Sequence, residues 1–268
     1  MFRCCIEEFK DEAIPTLLSL AREEGWISHP WEFRFLRTAF PQGALAARDG
    51  SGYVGFVTAL RHGRSGWIGN LIVRKDRRGG GVGRALFEQA LQLLTSRGVE
   101  TIWLTASAQG RPLYEQQGFS SIDRIRRWQG SGSIRQAEQL PALRRMMELD
   151  AEAWGDRRDQ LILATAGRGV LHGSSAGFLV CQDQGGIHQL GPWIAPAEEG
   201  GELFEAAIDG SQKGTLVVDM PERNKQGATL LMERGFRCCA STELMIYGVV
   251  PHYRPELIHG LATLGSLG

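Results

Sequence analysis

Three observations predict an α/β (α+β) chain made of two related halves. Strand-like apolar runs alternate with helix-spaced apolar stripes along the length of the sequence. Residues 69–91 and 100–119 read strand, loop, helix, strand, helix, Gly-Phe, and residues 191–208 and 214–236 repeat that order. Within the repeat, Leu86-Phe87-Glu88 answers Leu203-Phe204-Glu205, and Gly118-Phe119 answers Gly235-Phe236. Finally, four glycines set among arginines, in RRGGGVGRALF (77–87), open a helix of the first half.

Taken in order, the first strand is predicted at about 2–9. A helix over about 10–23 follows from the spacing of Ile14, Leu17, Leu18 and Ala21, and a second, shorter one covers about 30–39. Strands are predicted at about 43–49, 53–61 and 66–74, separated by the turn signals DGSG and RHGRSG. Leu86, Ala90, Leu93 and Leu94 form the buried stripe of a helix over about 82–97. VETIWLTA (99–106) is a buried strand. The short helix at about 109–117 stops at Gly118, a natural helix end, and a last strand or hairpin runs to about 129. The Gly/Ser-rich QGSGSIRQ (129–136) predicts a linker. Beyond it come a helical region at 140–166, strands near 169–173, 177–183 and 187–194, a helix at about 198–209, a strand at 214–219, a helix at 223–234 and a strand at 236–248.

The chain has 268 residues, 43% of them hydrophobic, enough for one large domain or two modest ones. Thirty basic residues balance thirty acidic ones, which argues against a broad nucleic-acid surface. No run approaches a membrane span and no signal peptide is visible. The five cysteines include the vicinal pairs Cys4-Cys5 and Cys238-Cys239, which lack the CxxC spacing of a metal site and do not form a secreted disulfide framework. They are expected as buried strand thiols in a cytoplasmic protein with no metal.

Backbone amides feeding a helix N-terminus make an anion site, and glycines let several of them point at one phosphate. Arg77, Arg78 and Arg84 add positive charge nearby. The Walker pattern fails because Gly83 is followed by Arg84-Ala85. The dinucleotide fingerprint fails because its third glycine falls on Arg84.

The stretch LIVRKDRRGGGVGRALFEQAL resembles motif A of the GNAT superfamily of N-acetyltransferases, with Arg78-Gly79-Gly80-Gly81-Val82-Gly83 meeting its core. PLYEQQGF (112–119) resembles motif B, with Tyr114, Gly118 and Phe119 in place. The resemblance covers about residues 1–130 and implies two tandem GNAT-like domains, 1–130 and 131–268, each a mixed, mostly antiparallel sheet flanked by helices. It also implies acetyl-CoA as cofactor. Pantetheine would pair with the open edge of the strand carrying Leu71, Ile72 and Val73, and the amides from Arg78 through Gly79, Gly80, Gly81, Val82 and Gly83 to Arg84 would hold the pyrophosphate. Ser107 stands where the family often has Asn, so its contact with the cofactor is left open.

Amine acetylation requires an oriented amine, a polarised thioester carbonyl and a proton for the departing thiolate. A backbone N–H of the 70–73 strand suits the carbonyl, and Tyr114 suits the proton. No general base stands out: Glu32, His29, Asp219, Glu222 and a water chain are all open. In the second half AEEGG replaces the arginine-glycine loop and Leu231 aligns with Tyr114, so that half is expected to be degenerate and to cover the substrate pocket. Asp219, Glu222 and Asn224 are candidates to receive a cationic amine, or to cap the next helix. Trp26 and Trp31 are candidates to line the acceptor pocket. The expected function is an N-acetyltransferase acting on a small-molecule amine, without nucleic acid or membrane, as monomer or homodimer. A non-catalytic acyl-CoA sensor and an acetyltransferase acting on a protein amine are the alternatives.

Overall fold

Turn signals and strand alternation in the first half produce an antiparallel meander, in a computed structural model that describes residues 4–137 and 141–268. The chain divides into two units, residues 1–104 and 105–268. In the first, β1 (Cys5–Glu8) leads through a 3-10 turn into α1 (Ile14–Glu23), followed by α2 (Pro30–Ala39), β2 (Ala44–Asp49), β3 (Gly52–Arg61), β4 (Ser65–Val73), α3 (Val82–Ser96) and the start of β5 (Thr101–Ala106). The sheet order is β1-β2-β3-β4-β5, antiparallel except for the parallel β4–β5 pair. Residues 2–3 of the predicted first strand lie outside the described residues.

Most of the apolar positions predicted for the two helical stripes are buried. Ile14, Leu17 and Ala21 of α1 and Leu86, Ala90 and Leu94 of α3 are buried, as are Phe33, Phe56 and Trp67 of the same unit, while Leu18 and Leu93 are only half-buried. Each such large side chain contributes about 1.5–3 kcal/mol on leaving water. α2 begins at Pro30, which suits a first turn whose N–H groups have no partner, and the N-cap His29 accepts from Trp31 N at 3.1 Å. His29, a candidate base, is thereby used as a cap.

The second unit contains α4 (Arg111–Gln116), β6 (Ser120–Ser131), β7 (Ser133–Ile134), α5 (Leu143–Trp154), α6 (Asp159–Ala166), β8 (Val170–Gly173), β9 (Phe178–Asp183) and β10 (Ile187–Ile194). Then follow α7 (Ala197–Ala207), β11 (Ile208–Asp209), β12 (Thr215–Pro221), α8 (Lys225–Glu233), β13 (Arg237–Gly248) and β14 (Ile258–Gly260). Its sheet order is β13-β6-β12-β10-β9-β8, with β10 and β12 parallel and β14 on β10.

Three expectations change here. The predicted linker at 129–136 is structure: Gln129, Gly130 and Ser131 pair with Val217, Leu216 and Thr215, and β7 pairs with β11. Its glycines serve close approach rather than freedom, since a Cβ on Gly130 would lie 2.5 Å from the Phe236 ring. β6 pairs with β12 and β13, so residues 105–130 pack within the second unit. The helical region expected at 140–166 breaks at Gly155, which is left-handed at φ 76°, and residue 140 lies outside the described residues. Of the cysteines, only Cys181 is buried; Cys5, Cys238 and Cys239 are exposed.

Candidate active site

The predicted cofactor strand is open where the motif requires it. The parallel ladder joins Ser65, Gly66 and Trp67 to Thr101, Ile102 and Trp103 and goes no further, so from Ile68 onward β4 pairs along β3 alone. Arg74 N–H donates to Val54 O at 2.9 Å, and Ile72 faces Phe56. Bonded pairs alternate in an antiparallel ladder, so Val73, lying between them, directs its N–H and C=O to the open side. Just before this edge β4 bulges, Asn70 and Leu71 opposing Val57. Asn70 has φ 54°, unusual for a side-chain-bearing residue, and its Nδ2 donates to the buried Thr58 Oγ1 at 3.0 Å. Asn70 went unnoticed in the sequence. The available signal was Asn, a residue that tolerates left-handed backbone, inside an apolar run.

The glycine loop also has the shape its composition predicts. Gly79 (φ 79°) and Gly81 (φ 86°) are left-handed, and a Cβ on either would meet nothing within 4 Å, so these glycines are needed for conformation rather than space. Gly81 is the N-cap of α3 with no side-chain cap. Ala85 N–H is the first to bond back, to Gly81 O at 3.0 Å, which leaves the amides of Val82 and Gly83 ahead of the intrahelical ladder. Arg84 is exposed in the first turn. Gly80, Gly81, Val82 and Ala85 line a cleft of about 150 Å³. A larger groove of about 450 Å³ lies along β1 and α3, but Glu7 and Glu8 line it and make it unsuited to phosphate.

The loop arginines are not free charges. Arg77 Nε donates to Asp49 at 2.9 Å and its NH1 to Asp76 at 2.8 Å; Arg74 also holds Asp76. Hydrogen bonds from Ser51 and Arg77 hold the Asp49 carboxyl far below the usual range. Arg78 is bound to Glu24 at 2.7 Å and to Val73 O at 2.9 Å. An anion at this loop would therefore meet backbone amides more than the charges of Arg77 and Arg78.

Tyr114 and Ser107 lie in the second unit. Tyr114 is buried on α4, and burial pushes its phenol up to about 12, so it stays protonated at neutral pH. Ser107 is exposed; its Oγ accepts from Gly110 N at 3.1 Å and shapes the entry to α4.

The acceptor candidates fare differently. Asp219 is fully buried and accepts two 2.8 Å hydrogen bonds from Arg127 and a third from Gln189 at 3.2 Å, so its oxygens are engaged within the second unit. Glu222 pairs with Arg126 and Arg124. Asn224 caps α8, accepting from Gly227 N at 2.8 Å and donating to Ile258 O at 2.9 Å. In the first unit Trp26 is 40% exposed, whereas Trp31 stacks on Phe35 at 5.5 Å. Glu32 is buried on α2.

The second unit repeats the forked strands but fills the fork. β10 and β12 pair through Ile187, His188 and Gln189 only, and β14 then enters, pairing with Trp193 and Ile194. Leu261 N donates to Asp219 O of β12 at 2.7 Å. Ala195, which answers Val73 in the repeat, donates its N–H to Leu257 O at 2.9 Å. The Gly200-Gly201 pair lies within α7, and a Cβ on Gly200 would sit 2.6 Å from the His259 ring. His259 stacks on Trp193 at 4.9 Å, and burial pushes its imidazole down to about 4.

The forked strand, the left-handed glycine loop and the helix after it frame the site, and comparison with known families shows the class of domain they belong to. Residues 7–119 match the acetyltransferase (GNAT) family and residues 146–260 match an acetyltransferase (GNAT) domain. The chain belongs to the GNAT acetyltransferase family and carries two of its domains in tandem.

Its fold is similar to that of a Pyrococcus horikoshii protein provisionally named an acetyltransferase, with TM-score 0.82 and 22% identity over 100% of this chain and 97% of the other. A GCN5-related N-acetyltransferase from Sphaerobacter thermophilus aligns with TM-score 0.60 and 16% identity over 94% and 97% of the two chains. One from Anabaena variabilis aligns with TM-score 0.58 and 14% identity over 91% and 72%. No curated protein matches the sequence. Among the described residues, no helix is long and apolar enough to cross a membrane.

Proposed function

We propose that the chain transfers an acetyl group from acetyl-CoA to the amine of a small molecule, by direct attack in a ternary complex. One observation carries this: in the first unit, an unpaired strand edge runs straight into a loop whose glycines adopt the left-handed backbone that aims amides at a diphosphate. Leu71, Ile72 and Val73 would hold the pantetheine arm as an added strand, and the amides through Gly79, Gly80, Gly81, Val82, Gly83 and Arg84 would hold the diphosphate. Bound acetyl-CoA supplies the acyl group as an activated thioester. Tyr114, a buried phenol protonated at neutral pH, suits the donation of a hydrogen bond or proton to the departing sulfur. The filled fork of the second unit favours a single cofactor site per chain.

The test is release of free thiol from acetyl-CoA with a panel of small amines and peptides, alongside calorimetry with CoA. Turnover on a small amine supports the proposal. Turnover only on peptides shifts the acceptor to a protein amine, and binding without turnover makes the protein a sensor. Tyr114→Phe is expected to lower kcat by about 10²-fold or more, with little change in CoA affinity.

A further inference from the structure

The open edge of β4 is already engaged by a side chain. Arg78 Nε donates to Val73 O at 2.9 Å, on the side left free by β3, and its NH2 reaches Glu24 Oε1 at 2.7 Å; Lys75 Nζ lies 3.8 Å from the same oxygen. Glu24 is the C-cap of α1, the helix end where a negative charge is locally disfavoured. Its placement makes sense through its cationic partners rather than through the helix. The Arg78 and Glu24 side chains are 34% and 24% exposed, so the pair sits in the range where an ion pair is weak and exchangeable. A diphosphate offers Arg78 several charged acceptor oxygens in place of one carboxylate. At the answering position of the second unit, Ala195 takes its edge partner from backbone, at Leu257 O. In the first unit the edge partner is a guanidinium, which can leave by rotating its own side chain.

We propose that Glu24 is an internal counter-anion of the cofactor loop: it holds Arg78 across the β4 edge in the free protein and is displaced by the diphosphate on binding. The inference rests on the cofactor reading above. It makes Glu24 a positioning residue that sets cofactor affinity, and it ties cofactor uptake to the end of α1, where Gly25 and the exposed Trp26 follow.

The experiment is calorimetric titration of wild type, Glu24→Gln, Arg78→Met and the double variant with CoA and with pantetheine, which lacks phosphate. Glu24→Gln is expected to bind CoA roughly two- to fivefold tighter, the size of one exposed ion pair, with the gain shrinking in high salt. Pantetheine, which meets Arg78 at Val73 O but carries no phosphate, should gain less than CoA, and Glu24→Gln should give no gain once Arg78 is Met. Unchanged or weaker CoA binding by Glu24→Gln, an equal gain for pantetheine, or a gain that survives in the double variant would overturn the inference and leave the proposed function standing. A wild-type chain that takes up no CoA would remove both.

Discussion

Replacing Asp219 should unfold the protein more readily rather than weaken its hold on an amine. The carboxylate is fully buried and accepts both 2.8 Å hydrogen bonds of the Arg127 fork, with Gln189 adding a third at 3.2 Å. Arg127 is itself only 13% exposed, so Asp219→Ala strands a cation that water barely reaches. Breaking a buried pair from one side costs about 3–5 kcal/mol, within the range set by two charge-assisted hydrogen bonds of ~1.5–3 kcal/mol each. Urea unfolding of wild type, Asp219→Ala, Arg127→Met and the double variant measures this. The double variant should cost less than the sum of the single ones, because no charge is left alone. An Asp219→Ala protein as stable as wild type but with a tenfold higher KM for the amine would refute the structural role and restore the carboxylate to the acceptor site.

Two further outcomes follow from the described geometry. Gly81→Ala forces a side chain into φ 86°, a strain of roughly 1–2 kcal/mol, and should weaken CoA binding about tenfold while leaving secondary structure intact by circular dichroism. For His259 the folded pKa lies near 4 against 6.5 unfolded, so the unfolded chain binds the proton first as pH falls. Stability is therefore fully present above about pH 6.5 and declines towards pH 4 by up to ~3 kcal/mol from this group. A ring resonance of His259 that titrates above pH 6 in the folded protein would contradict this.

The parts of the fold set by local chemistry were legible in the sequence. The helical stripes, the turns and the glycine-rich entry to α3 depend on residues close in the chain, and the structure places them within a few residues of the expected positions. What stayed hidden depends on distant partners. Gly130 looks like freedom until Phe236 is seen against it. Asp219 and Glu222 look like an amine receptor until Arg127 and Arg126 arrive from β6. The arginines beside the glycine loop look like phosphate ligands until Asp49, Asp76 and Glu24 claim two of them. Asn70 needed Thr58, twelve residues away on the neighbouring strand, to explain its backbone. The short β14 carries too few apolar residues to announce a strand and is fixed by β10 and β12.

That last strand changes what it would take to revive the duplicated copy. Grafting an arginine-glycine loop onto the start of α7 would recreate a phosphate grip beside a groove that the tail of the same polypeptide already fills. In that copy the strand fork is occupied, besides lacking the arginine-glycine loop. A cofactor strand could enter this fork only if residues 257–261 left it, and with them the imidazole wedged between Gly200 and Gly227.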